Sequence, residues 1–171
     1  RNRAEQAKPG GKEDSLRYQL IRARVQLQYE DTSGLAAKRF QAQLDENPKN
    51  DVARYGLAIA QIKGSQFKEA RENLAQLLAK APTDITYNLA QIQLDIDNNH
   101  LPDAQQRTDK MLTQYPGNYP LNQVRVDLLL KQNRTADAEK ALDALLKSRP
   151  DDPDVWYQVA ETRGLSGNII G

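Results

Sequence analysis

The chain has 171 residues, of which 39% are hydrophobic, with nine Gly, eight Pro and no Cys. That composition excludes a disulfide-stapled or collagen-like scaffold and leaves the redox compartment open. Its 24 basic and 23 acidic side chains nearly cancel, so it carries no electrostatic footprint for nucleic acid, and no apolar run approaches the roughly 18 residues of a membrane span.

In chain order, residues 1–16 open with the polar stretch RNRAEQAKPGGKEDS, interrupted by Pro9-Gly10-Gly11. They read as a linker after the end of a preceding domain, with Arg1–Gln6 as the tail of a helix. The chain starts at Arg1 without an initiator Met and stops at Ile169-Ile170-Gly171, and is expected to be a piece of a longer protein. Residues 17–50 then begin a pattern of paired helices. In residues 51–84, Ala53, Gly56, Leu57 and Ala60 fall on one helical face, and Gly64-Ser65 breaks the pattern. A second helix runs through Ala70, Leu74, Leu77 and Leu78, and Pro82 ends it because proline cannot continue a helix. Residues 85–118 and 119–152 repeat this plan, 153–163 form one extra helix, and 164–171 read as a truncated tail.

The copies keep a strict register. Pro48, Pro82, Pro116 and Pro150 are each 34 residues apart, as are Ala36, Ala70, Ala104 and Ala138. Leu44, Leu78, Leu112 and Leu146 share the period, and so do the turn residues Asp31, Ser65, Asn99 and Asn133. Asp and Asn suit a bend between helices, since they tolerate left-handed backbone and can also cap the next helix. Small Ala at the recurring position allows close helix approach, and a larger side chain there should cost about 1–3 kcal/mol by overpacking.

A 34-residue helix–turn–helix with this Ala and Pro punctuation resembles the tetratricopeptide repeat. Trp156, 34 residues after Asn122, stands where that family favours Trp. The family's early Gly is Ala58, Ile92 and Val126 here, and its later Tyr is Gln61 in the second copy. The resemblance implies an all-α fold, a right-handed α-solenoid whose first helices line a concave groove. Such a thin, stacked body also accounts for a mean hydropathy of −0.78 and only two Phe and one Trp.

Little in the chain carries chemistry. His100, the single His, sits in a turn, and a zinc site needs three or four converging ligands. Asp95-x-Asp97-x-Asn99 starts like a calcium loop, but His100 replaces its Gly and Gln106 its bidentate Glu. Asn133-Arg134-Thr135 is a formal glycosylation sequon better explained as a turn. With no phosphate loop, no His-Glu-x-x-His and no Cys nucleophile, these residues are expected to hold no catalytic group, metal ligand or cofactor.

The groove is the expected site. The family's groove positions are the second, fifth, ninth and twelfth of each copy. On this sequence they give Tyr18, Ile21, Val25 and Gln28 with Tyr29 beside them, then Val52, Tyr55, Ile59 and Ile62. Next come Thr86, Leu89, Gln93 and Ile96, followed by Pro120, Gln123, Asp127 and Leu130. As a set they describe an apolar, Tyr-bearing surface suited to a protein partner. The Lys and Asn of the carboxylate clamp found in chaperone adaptors are absent.

A narrower resemblance lies in Ala53-Arg54-Tyr55-Gly56-Leu57-Ala58, in Gln66-Phe67-Lys68-Glu69-Ala70-Arg71 and in Leu77-Leu78. These are similar to the repeat region of BepA-type periplasmic zinc metalloproteases. RNRAEQ is similar to the tail of their peptidase domain, and Leu20-Ile21-Arg22-Ala23-Arg24 to the helix that follows it. The resemblance implies a periplasmic parent with a His-Glu-x-x-His zinc peptidase domain outside this chain. The repeats of such a parent pack on its protease domain and bind client proteins or outer-membrane assembly machinery. The alternative is a stand-alone tetratricopeptide scaffold or adaptor of another bacterial assembly or secretion system.

Overall fold

Helix follows helix from Ser33 to Leu165, and no strand occurs among the described residues, 33–165 of the computed structural model. The chain divides into two compact units, Arg1–Pro82 and Thr83–Gly171. The first contains α1 (Ser33–Glu46), α2 (Asp51–Lys63) and α3 (Phe67–Lys80). The second contains α4 (Ile85–Asp97), α5 (Leu101–Gln114), α6 (Tyr119–Lys131), α7 (Thr135–Ser148) and α8 (Pro153–Leu165). Asp31 and the helix expected before α1 lie outside the described residues.

The period has a simple mechanical origin. A helix of 13 residues, a three-residue turn, a helix of 14 and a four-residue turn make one copy. Ser65, Asn99 and Asn133 each have positive φ, at 57°, 58° and 58°. Around each, the chain closes a Schellman turn on the preceding helix. The amide of Gln66 donates to the Gln61 carbonyl at 2.8 Å, that of His100 to Asp95 at 2.7 Å, and that of Arg134 to Leu129 at 2.8 Å. A left-handed residue with a Cβ is strained, least so for Asn. Ser65→Gly is therefore expected to stabilise the protein by about 0.5–1 kcal/mol, and Asn99→Gly by less. Urea midpoints of the two variants check the ranking.

Asn99 and Asn133 do not cap the helices that follow them. Each belongs to the C-terminal turn of the preceding helix, so the next residue occupies the N-cap, and His100 and Arg134 make no side-chain cap there. The caps sit instead on α2, α4 and α6, and on α8, where Asp152 Oδ1 accepts from the Asp154 amide at 3.0 Å. Asn50 Oδ1 accepts from the Ala53 amide at 3.1 Å, Asp84 Oδ1 from Tyr87 at 3.0 Å and Asn118 Oδ1 from Leu121 at 3.1 Å.

Three of the four-residue turns, at 47–50, 115–118 and 149–152, are tied down from the helix after them. Arg54 Nη2 donates to the Pro48 carbonyl at 2.7 Å, Asn122 Nδ2 to Pro116 at 3.0 Å and Trp156 Nε1 to Pro150 at 2.7 Å. Different side chains at one register position thus satisfy the same class of acceptor, a carbonyl that the helix ladder leaves open.

The recurring Ala70, Ala104 and Ala138 are fully buried. In the first unit, Leu44, Ala53 and Leu57 form a core with Ala37 and Phe40 packed against it. Gly56 permits the closest approach, because a Cβ there would fall 2.5 Å from Phe40 Cε1 and Cζ. In the second unit one cluster joins Ile92, Ile96, Ala104, Met111, Leu112, Leu121 and Leu128. Another joins Val126, Leu129, Ala138, Leu142, Leu145, Val155 and Val159.

Candidate functional site

On α2, the cap at Asn50 sets the start, and helical spacing then places Val52, Tyr55 and Ile59 on one face. All three are half-buried, so each keeps surface for contact. Ile62 is buried at 6% exposure and supplies packing rather than contact surface. Tyr18, Val25 and Tyr29, with Ile21 and Gln28, lie outside the described residues.

In the second unit the equivalent faces belong to α4, α6 and α8. Leu89 is half-buried against the first apolar cluster, and Ile96, at 7% exposure, is part of that cluster. Ile96 precedes the left-handed turn at Asn99, and Leu101 on the far side of that turn packs against the same cluster. Gln93 is exposed and donates to Asp97 Oδ1 at 2.8 Å. Gln123, half-buried, donates to the Tyr119 hydroxyl at 2.8 Å, and Arg149 stacks 4.3 Å from the centroid of that Tyr119 ring. These contacts hold the wall of the face in place.

Asp127 stands on the α6 part of this face, exposed at its surface. Desolvation by the surrounding protein pushes its carboxyl above the ordinary carboxylate range; Lys131 opposes the shift and Glu161 adds repulsion. The folded state therefore prefers the protonated form. That preference is complete below the ordinary Asp value near 3.9 and is lost as pH rises through the raised value. Asp127→Asn should raise Tm at pH 7 by about 1–2 °C, a small effect because the side chain stays accessible. Paired melts at neutral and acidic pH test the sign, since the gain should vanish once Asp127 is protonated.

Sequence reasoning did not carry the groove positions onto α8. Adding one period to Pro120, Gln123 and Asp127 reaches Asp154, Tyr157 and Glu161, which share one face of that helix. Tyr157 is 69% exposed and the neighbouring Trp156 53%, large values for aromatic side chains.

The other candidates have local roles. Asp95 is buried and accepts from Gln91 Nε2 at 3.1 Å, while His100 Nδ1 lies 3.7 Å from Asp103 Oδ2 within one turn. Among the described residues, no three His, Cys, Asp or Glu side chains come together to hold a metal. No described helix is long and apolar enough to cross a membrane.

Comparison with known proteins places this architecture. A tetratricopeptide-repeat family model matches residues 34–94 and 95–161. No curated protein matches the sequence. Among solved structures, a thermophilic tetratricopeptide-repeat protein of Thermus thermophilus superposes with a TM-score of 0.70 at 23% identity, covering 89% of this chain and 83% of that one. A tetratricopeptide-repeat protein of Parabacteroides merdae gives 0.75 at 14% identity, over 88% of this chain and 59% of that one. A chain in the structure of Naa15/Naa10 bound to HypK-THB gives 0.60 at 19% identity, over 92% of this chain and 23% of that one. At these identities the neighbours speak for the fold alone. With both family matches spanning the described helices, the chain belongs to the tetratricopeptide-repeat family, whose domains are typically non-catalytic and serve protein–protein interaction.

Proposed function

We propose that the first-helix faces of this chain hold a partner polypeptide, and that the chain is the client- and partner-binding arm of a periplasmic zinc metalloprotease and chaperone of the BepA type. The observation that carries the binding role is the α2 face, where half-buried Val52, Tyr55 and Ile59 line up at helical spacing. Aromatic and aliphatic anchors of this kind dominate protein–protein contacts. Support for the parent rests on the sequence resemblance through residues 53–78 and the leading RNRAEQ. In this reading the zinc belongs to the peptidase domain on which the repeats pack, and the repeats engage clients or outer-membrane assembly proteins.

The binding role is tested by photo-crosslinking from Val52, with exposed Lys68 as the control position. Adducts should form from Val52 and not from Lys68. Tyr55→Asp with Ile59→Asp should weaken the partner about a hundredfold, the cost of two anchors, while far-UV CD stays helical. Equal adducts from both positions sink the reading, and a collapsed melt would show Tyr55 and Ile59 to be core. The parent is tested by the gene upstream of Arg1, which must encode a secretory signal and a His-Glu-x-x-His. A second reading, a scaffold or adaptor of another assembly, rests on the general protein-binding role of the family.

A further inference from the structure

The two units present first-helix faces of different character. On α2 the face is apolar, through Val52, Tyr55 and Ile59. In the second unit α4 has Thr86, Leu89 and Gln93 at those register positions, whereas α6 brings Asp127 and α8 brings Asp154 and Glu161, in a chain whose overall net charge is +1. Their acidity is thus local and not a by-product of composition. Elsewhere in this unit Asp137, Asp143 and Asp152 are engaged by Arg134, Arg163 and Arg149. Asp127, Asp154 and Glu161 form no ion pair among the described residues. α6 carries two basic groups, Lys131 four residues after Asp127 and Arg125, which acts on Asp137 of α7, and Asp97 on α4 is occupied by Gln93.

Beside these carboxylates stands Tyr157, four residues before Glu161 and so on the same helical face. Its ring is largely open to solvent. An exposed aromatic face attracts a cation through its quadrupole, and flanking carboxylates add the charge complement.

We propose that the face formed by Asp127 on α6 and by Tyr157 and Glu161 on α8 docks a basic polypeptide segment, seating a Lys or Arg against the Tyr157 ring with its charge shared by the two carboxylates. This rests on the protein-binding role above and specifies the chemistry of the partner for the second unit. The raised protonation range of Asp127 agrees with it, because a carboxylate short of counter-charge is stabilised when a cation arrives.

The chain's single tryptophan, Trp156, adjoins Tyr157 and is half-exposed, so its fluorescence reports on this face in the unlabelled protein. The probes are two short synthetic peptides, one of repeating Lys-Ser-Leu and one of repeating Glu-Ser-Leu. The Lys peptide should shift the Trp156 emission and the Glu peptide should not. Raising the salt should weaken the Lys peptide about tenfold, since the contact is electrostatic. Asp127→Asn with Glu161→Gln, near-isosteric changes, should also weaken it about tenfold, with far-UV CD unchanged and the Asp127 carboxyl signal moving toward the ordinary range on binding in the parent protein.

Equal binding of both peptides, binding of neither, or an unaltered response in the double variant overturns the proposal. Those results leave the crosslinking from Val52 untouched, so loss of the charge preference is separable from loss of the binding role itself.

Discussion

Ala138→Trp is expected to cost about 3 kcal/mol or more, the upper end of what overpacking a close-packed core produces. Ala138 has no exposed surface and lies among Val126, Leu129, Leu142, Leu145 and Val155. An indole cannot be placed there without separating α7 from the helices on either side. Against a typical domain stability of about 5–15 kcal/mol this removes a large share, and the urea midpoint should fall accordingly. Ala136 provides the control, being exposed on the same helix two residues earlier. Ala136→Trp should stay within about 0.5 kcal/mol of the parent, as surface changes do. If both variants melted alike, the cost would come from Trp in a helix and not from the seam. Ala70→Trp and Ala104→Trp should follow Ala138→Trp, because their positions are equally buried.

This sensitivity was legible in the sequence, since Ala recurs at intervals that match one helix pair and no other side chain is as small and as helix-favouring. The turn chemistry was legible only in part. Asn and Asp serve equally as left-handed turn residues and as N-caps, so residue type alone did not separate Asn99 from Asn118. The prolines could have separated them, because Pro48, Pro82 and Pro116 each stand two residues before a cap, at Asn50, Asp84 and Asn118. The tie from the first helix back to the proline carbonyl was not legible at all. Arg54, Asn122 and Trp156 share only a donor at the right reach, and a pattern search by residue identity passes over them. In the candidate site, the family's register set Val52, Tyr55 and Ile59 at helical spacing but did not give the depth of its positions. Val52, Tyr55 and Ile59 remain at the surface, whereas Ile62 and Ile96, beside the turns, pack inward. Which side of that line an isoleucine falls on depends on the returning helix, a contact that local spacing does not encode.

Gly56→Leu is expected to destabilise the first unit by about 2–3 kcal/mol, although leucine is much the better helix former. Two effects oppose each other at this site. Gly in the middle of a helix costs about 1 kcal/mol relative to Ala, so any side chain at Gly56 recovers part of that. The first atom of that side chain, however, would stand 2.5 Å from Phe40 Cε1 and Cζ and 2.7 Å from Cε2. Carbon atoms prefer about 3.5–4.0 Å, so the ring must move away from the Leu44, Ala53 and Leu57 core on which it packs. Overpacking wins for Leu, and for Ala the two terms come close to balance. A double-mutant cycle with Phe40→Leu isolates the clash. With a smaller partner on α1, Gly56→Ala should become stabilising, with a coupling of about 1–2 kcal/mol between the two positions. An additive cycle would mean that α1 simply shifts to make room. In that case Gly56 would matter only for helix propensity, and Gly56→Ala would stabilise the protein with Phe40 still in place.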